Sequence, residues 1–184
     1  MRSSAEILMP VEAAATPDGL AVVPGRLARI VLAGEALTRL SPILEADRAQ
    51  AVADLLAENR FAPVRARPGV AAPYGGPYAL RLSVQEGRLV FDVRRMDDAP
   101  LVIIALALGP FRGLIKDYEM LVESHVKAVE EGREARIQAI DMGRRGLHNE
   151  GAQLMLDRLA GKIVIDFETA RRLFTLVCVL HQRV

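Results

Sequence analysis

Two alternating runs joined by a two-residue turn constrain this chain more than any other feature. Tyr78 to Gln85 and Arg88 to Arg95 each switch between apolar and polar side chains, with Glu86-Gly87 between them. Period-two alternation puts successive side chains on opposite faces of a strand, and an X-Gly pair suits a tight hairpin turn. Placing Gln85 opposite Arg88 sets Val84 against Leu89, Leu82 against Phe91 and Leu80 against Val93. The same register puts Arg81 opposite Asp92 on the other face, a favourable cross-strand charge pair. A slip of one residue would expose all of those apolar groups, so the register is strongly specified.

The remaining elements are read outward from this hairpin. Residues 26–33 alternate and predict a first strand, and Pro42, Glu45 and Asp47 open a helix to about Asn59. Ala49, Val52, Leu55 and Leu56 form the expected inner face of that helix. Residues 68–77 hold three Pro and three Gly and read as a loop. Residues 101–108 are apolar without interruption, as in a strand covered on both faces. Gly109-Pro110 starts a helix whose stripe is Phe111, Leu114, Ile115, Tyr118, Leu121, Val122, Val126 and Val129, and Gly132 ends it. A further helical stretch begins at Glu134 and stops at Gly161. Ile163-Val164-Ile165 suits an edge strand, and Asp166 caps a final helix through His181. That helix is apolar almost all round over residues 173–180, so it must be buried in the domain or against a second chain.

Strands before residue 109 and helices after it predict an α+β domain, with an antiparallel meander of about four strands packed against C-terminal helices. Residues 1–25, punctuated by Pro and Gly, read as a loosely ordered N-terminal extension, and residues 26–184 as one domain. A chain of 184 residues that is 51% hydrophobic has enough apolar surface for one core. The formal net charge of +1 gives no diffuse positive field for nucleic acid. Among the 24 basic side chains only Lys116, Lys127 and Lys162 are lysine, and arginine favours planar contacts with carboxylates and phosphates. Glu6 and Glu12 interrupt every candidate signal-peptide core, and no apolar run approaches the roughly 20 residues that span a bilayer. The lone cysteine, Cys178, reads as a buried, inert thiol, and the expected location is the cytoplasm.

The stretch that could carry chemistry is residues 141–151, where Gly143, Gly146 and Gly151 interrupt a helical pattern. Each glycine costs about 1 kcal/mol inside a helix, so the expectation is a break near Gly146 and a restart with Asn149 as N-cap. Arg144, Arg145, His148 and Asn149 would then converge, with freed backbone N–H groups, on an anion such as phosphate or carboxylate. The structural alternative pairs Asp141 with Arg144 or Arg145, uses the glycines for close helix approach and buries His148 in a hydrogen bond. His148 and Glu150 are weak candidates for an acid/base pair, because on an unbroken helix they point about 200° apart. His125, His148 and His181 have no metal-binding spacing, and neither a metal nor a cofactor is expected. No nucleophile elbow, P-loop or dinucleotide fingerprint is present.

The hairpin, Pro110-Phe111-Arg112 with Ile115-Lys116-Asp117-Tyr118, residues 139–151 and the ending from Thr169 to His181 together resemble uncharacterised protein family 0262. These are small proteins found mainly in alphaproteobacteria. The resemblance covers residues 26–184 and implies no established activity, so it carries no catalytic residues across.

Three functions compete. The first is a non-enzymatic interaction or regulatory module, as a homo-oligomer or bound to a protein partner through the C-terminal helix. The second is a small-anion or nucleotide-handling enzyme using Arg144 and Arg145 as the clamp and His148 or Glu150 as the acid/base. The third is an RNA-associated protein with Arg144, Arg145, Arg171 and Arg172 in one patch; few aromatics count against it.

Overall fold

A computed structural model describes residues 25–33, 40–64 and 74–181. The expected N-terminal extension, apart from Gly25, and residues 68–73 of the expected loop lie outside the described residues. The strands are β1 (Leu27–Ala33), β2 (Phe61–Pro63), β3 (Tyr78–Gln85), β4 (Arg88–Arg95), β5 (Pro100–Ala107) and β6 (Ile163–Ile165). The helices are α1 (Pro42–Ala57), α2 (Arg112–Glu130), α3 (Glu134–Leu159) and α4 (Phe167–His181).

The hairpin forms in the expected register, from Gln85 opposite Arg88 to Tyr78 opposite Arg95. Glu86 and Gly87 both have positive φ, at 48° and 72°, which matches the turn to the right-handed twist of its strands. Arg81 stands opposite Asp92 as expected, yet the ions pair elsewhere: Asp92 accepts from Arg94 Nε at 2.8 Å, and Arg81 reaches Asp98 at 3.3 Å. Side chains two apart on a strand share a face, so Arg94 competes directly with Arg81 for the carboxylate.

The fold is α+β, but the sheet is mixed and not a pure meander. Its order is β1-β3-β4-β5, with β3, β4 and β5 antiparallel and β1 parallel to β3. A parallel neighbour requires a crossover, and α1 lies in that connection. β2 and β6 form a separate antiparallel pair, with Phe61 opposite Ile165.

Leu80, Leu82, Leu89, Phe91, Val93 and Leu106 line the inner sheet face and join one core with Phe111, Ile115, Phe174 and Val177. Asp166 caps α4 by accepting from the Thr169 N–H at 2.8 Å. Residues 173–180 are buried within this one chain, α4 packing on α3, α1 and β3. Residues 173–180 therefore leave no apolar side chain free for a partner, and the expectation of docking through that run finds no support.

Three smaller expectations also change. α1 faces inward through Leu44, Ala51 and Leu55, while Ala49 is exposed. Val126 and Val129 are exposed near the end of α2. β5 is an edge strand with one open face: Leu106 is buried but Ile103 is 65% exposed. An uninterrupted apolar run is shared by doubly covered strands and unprotected edges, so composition could not separate them.

Candidate functional site

The largest correction concerns residues 141–151. α3 runs unbroken from Glu134 to Leu159 through Gly143, Gly146 and Gly151. Asn149 is an exposed mid-helix residue, not a cap, so no backbone N–H is freed there. Glu150 is exposed as well and is not brought to His148, as the angular separation on a continuous helix requires.

Gly151 has a specific reason to be glycine. A Cβ built there would collide with the Phe174 ring of α4, so α3 and α4 touch backbone to ring. Around Gly146 that added carbon would meet nothing.

The polar centre of the helical layer lies two turns before Gly151, at Arg144. Asp47 of α1 accepts from one guanidinium nitrogen of Arg144, at 2.8 Å to Oδ1 and 2.6 Å to Oδ2. It also accepts a hydrogen bond from the Tyr118 hydroxyl of α2. Both members of the ion pair are mostly sequestered, Arg144 at 17% and Asp47 at 18% side-chain exposure. Asp141 is a longer partner to Arg144 at 3.8 Å. Charge-assisted bonds in a partly dry site are strong, so this carboxylate ties α1, α2 and α3 together. Burial first, and the Asp47 charge second, raise the Tyr118 pKa far above its ordinary value.

His148 lies over Tyr118, ring centroids 5.6 Å apart and 28° between planes, and meets Phe174 edge-on at 6.1 Å. Its Nε2 is buried without a hydrogen-bond partner, as is Arg144 Nε. The expected interior hydrogen bond of His148 is thus replaced by ring stacking. Loss of solvation first, then the positive charges of Arg144 and Arg171, lowers its pKa to about 4. At neutral pH it is an uncharged ring.

That shift makes the fold acid-sensitive. Between about pH 6.5 and about pH 4 the unfolded chain binds a proton at His148 that the folded chain refuses. Stability is full above the upper limit and falls as pH drops, by at most about 3 kcal/mol from this group. Urea midpoints measured from pH 7 to pH 4.5 should decline in the wild type and decline less in His148→Phe. Equal slopes for the two proteins would remove His148 as the cause.

Asp141, Arg144, Arg145 and His148 border an open depression of about 220 Å³. Among the described residues Arg145 has no ion-pair partner, so it carries the one unspent charge there. Arg172 turns away and donates to the Glu58 carbonyl at 2.8 Å, while Arg171 lies 3.9 Å from Glu168. Cys178 is fully buried, and burial raises its thiol pKa, which leaves little thiolate. Among the described residues no cluster of three His, Cys, Asp or Glu could hold a metal ion, and no helix is long and apolar enough to cross a membrane.

Sequence reasoning found Arg144 and His148 but missed Asp47 and Tyr118, which it read as a helix opener and a stripe residue. One signal was available. Asp47 lies three after Leu44 and four before Ala51, both buried, so an acid sat on the inner face of α1 and needed a partner.

Mixed sheet, helical cover and an internal Asp-Arg-Tyr tie together define a small α+β protein. The chain belongs to UPF0262, an uncharacterised protein family whose model matches residues 24–183. It is 71% identical over 160 residues to a UPF0262 protein of Granulibacter bethesdensis, covering 86% of this chain and 91% of that one. A UPF0262 protein of Acidiphilium cryptum is 58% identical over 166 residues, covering 90% and 98% respectively. One from Paramagnetospirillum magneticum is 49% identical over 158 residues, covering 86% and 96%. No solved structure matches the chain.

Proposed function

We propose that this chain is a non-enzymatic interaction module of the bacterial cytoplasm. The observation that carries the reading is a division of labour. The groups that could do chemistry are spent on one another in the helical layer, whereas one edge of the sheet is uncharged and open. Asp47, Arg144 and Tyr118 satisfy a single buried junction, and His148 is a neutral stacked ring. β5 has no charged residue from Pro100 to Ala107, and Leu101 and Ile103 are exposed on it. Exposed apolar side chains grouped on a sheet edge mark interaction sites.

In-cell photocrosslinking tests the reading. With Ile103 replaced by a photoreactive amino acid, illumination should give an adduct heavier than the monomer. Only monomer at every exposure would remove the basis for the module.

A ligand-binding reading keeps one specific observation, the unspent Arg145 beside the Arg144–His148 depression. An anion bound there would raise the melting temperature by mass action, and Arg145→Ala would abolish the rise. No rise with millimolar phosphorylated or carboxylate metabolites would end that reading and, with it, the enzymatic one. RNA association would use Arg145 and Arg171, and binding indifferent to salt would exclude phosphate contacts.

A further inference from the structure

We infer that β5 takes up an extended segment of a different protein as the next strand of the sheet, apolar where it lies along residues 101–104 and acidic where it passes residues 105–107. This rests on the interaction-module reading and gives the partner's chemistry.

The inner face of the sheet is left uncovered at β5. On β4, Phe91 and Val93 are fully buried, but the residues opposite them, Ile104 and Val102, are only half-buried. On the outer face Ile103 is 65% exposed, and Leu101 is exposed as well. Among the described residues β5 pairs with β4 alone, so the backbone groups on its far side have no strand partner. Pro100 removes one donor at the start of the strand, but from Leu101 to Ala107 neither proline nor charge turns a further strand away. The opposite edge, β1, carries Arg29 and a register irregularity between Leu27 and Arg29, devices that discourage addition. Main-chain hydrogen bonds to β5 would hold an incoming segment, and its inward side chains would cover Val102 and Ile104.

Charge sets what that segment must carry. A groove of about 290 Å³ lies at the far end of β5, bordered by Ala105, Leu106, Ala107, Asp157, Arg158 and Lys162. Arg88 stands opposite Ala107, and the Arg112 guanidinium lies beside Gly87, whose carbonyl accepts from the Leu108 N–H at 3.1 Å. Arg88, Arg112, Arg158 and Lys162 thus gather at this end against Glu86 and Asp157. Among the described residues none of the four basic groups is in an ion pair. Lys162 Nζ donates to the Arg158 carbonyl, which satisfies a donor but leaves the charge. Unpaired cations beside an apolar strand favour carboxylates on the partner and oppose a basic one. The same charges do not suit a second copy. Its β5 would bring the same basic end, and at the other end Asp92, Asp97 and Asp98 already lie against Arg94, Arg95, Arg29 and Arg81.

Titration of the ¹⁵N-labelled full chain with designed peptides, followed by NMR, tests the inference. The first probe is a blocked peptide of alternating Val and Thr with Asp-Glu at each end. The second replaces the acids by Lys, and the third keeps the acids around a Ser-Gly centre. Amide shifts should concentrate at residues 101–107, with the first peptide binding about tenfold tighter than the second and also tighter than the third. Added salt should narrow the gap between acidic and basic peptides, and Arg158→Gln with Lys162→Gln should remove most of it. If that double variant does not fold, the comparison of peptides on the wild type decides. No binding of the acidic peptide, equal binding of its lysine counterpart, or shifts away from β5 overturns the inference. So does an Ile103 photoadduct in cells whose second chain is this same protein. A photoadduct with another protein, together with no acidic preference, leaves the module reading standing and ends this one. Neither photoadduct nor peptide binding ends both.

Discussion

Replacing Asp47 by alanine will cost the fold about 3 kcal/mol, because it strands two donors from two different helices. Arg144 loses the carboxylate that accepts at 2.6 and 2.8 Å, and the Tyr118 hydroxyl loses its acceptor. Breaking a buried ion pair by removing one partner costs about 3–5 kcal/mol, and the residual 17–18% exposure here puts the effect at the lower end. For a chain of this size the melting temperature should fall by roughly 6–12 °C.

A compensating variant separates the pair from its desolvation. Asp47→Leu with Arg144→Met and Tyr118→Phe removes every stranded polar group and should recover most of the loss. Thermal and urea unfolding of the set measures the coupling. If Asp47→Ala lies within about 0.5 kcal/mol of wild type, the junction is solvated and holds nothing.

The second large effect is at Gly151. Gly151→Ala should destabilise by about 2 kcal/mol even though alanine is the better helix former. Its methyl group would sit inside the contact distance of the Phe174 ring. That ring cannot yield freely, since it is fully buried and packs on Phe111 at 6.5 Å and on His148. Overpacking costs about 3 kcal/mol at the upper end of its usual range, and improved helix propensity returns about 1 kcal/mol. Gly146→Ala supplies the control. With open space around it, the same change should stabilise by up to about 1 kcal/mol. Denaturant midpoints that move in the same direction for both variants would show that propensity, and not the Phe174 contact, governs the helix.

These two sites show where reading the chain stopped. The hairpin was legible residue by residue, down to Leu82 opposite Phe91, because its information is local: an alternating pattern, a two-residue turn and one apolar face. The Asp166 cap was legible for the same reason. The course of α3 was not. Three glycines predict a break when only helix propensity is weighed. The opposing contributions come from Asp47, 97 positions from Arg144, and from Phe174 on the next helix. Arg144 and His148 were correctly singled out as polar groups in an unusual stretch. Their partners were not, because Asp47 and Tyr118 lie on other helices that only packing brings together.

Sequence alone determined the α+β class, the hairpin register and the burial of the last helix, all properties of local period, capping and composition; the family was reached through the resemblance of particular motifs. The tertiary structure decided that β1 joins β3 in parallel, that α3 passes through its glycines, and that β5 is left at an edge. It also turned Arg144 and His148 inward to Asp47 and Tyr118. In α3 a local cost of about 1 kcal/mol per glycine is set against contacts made across long stretches of chain. A linear pattern records the cost but not the contacts that outweigh it.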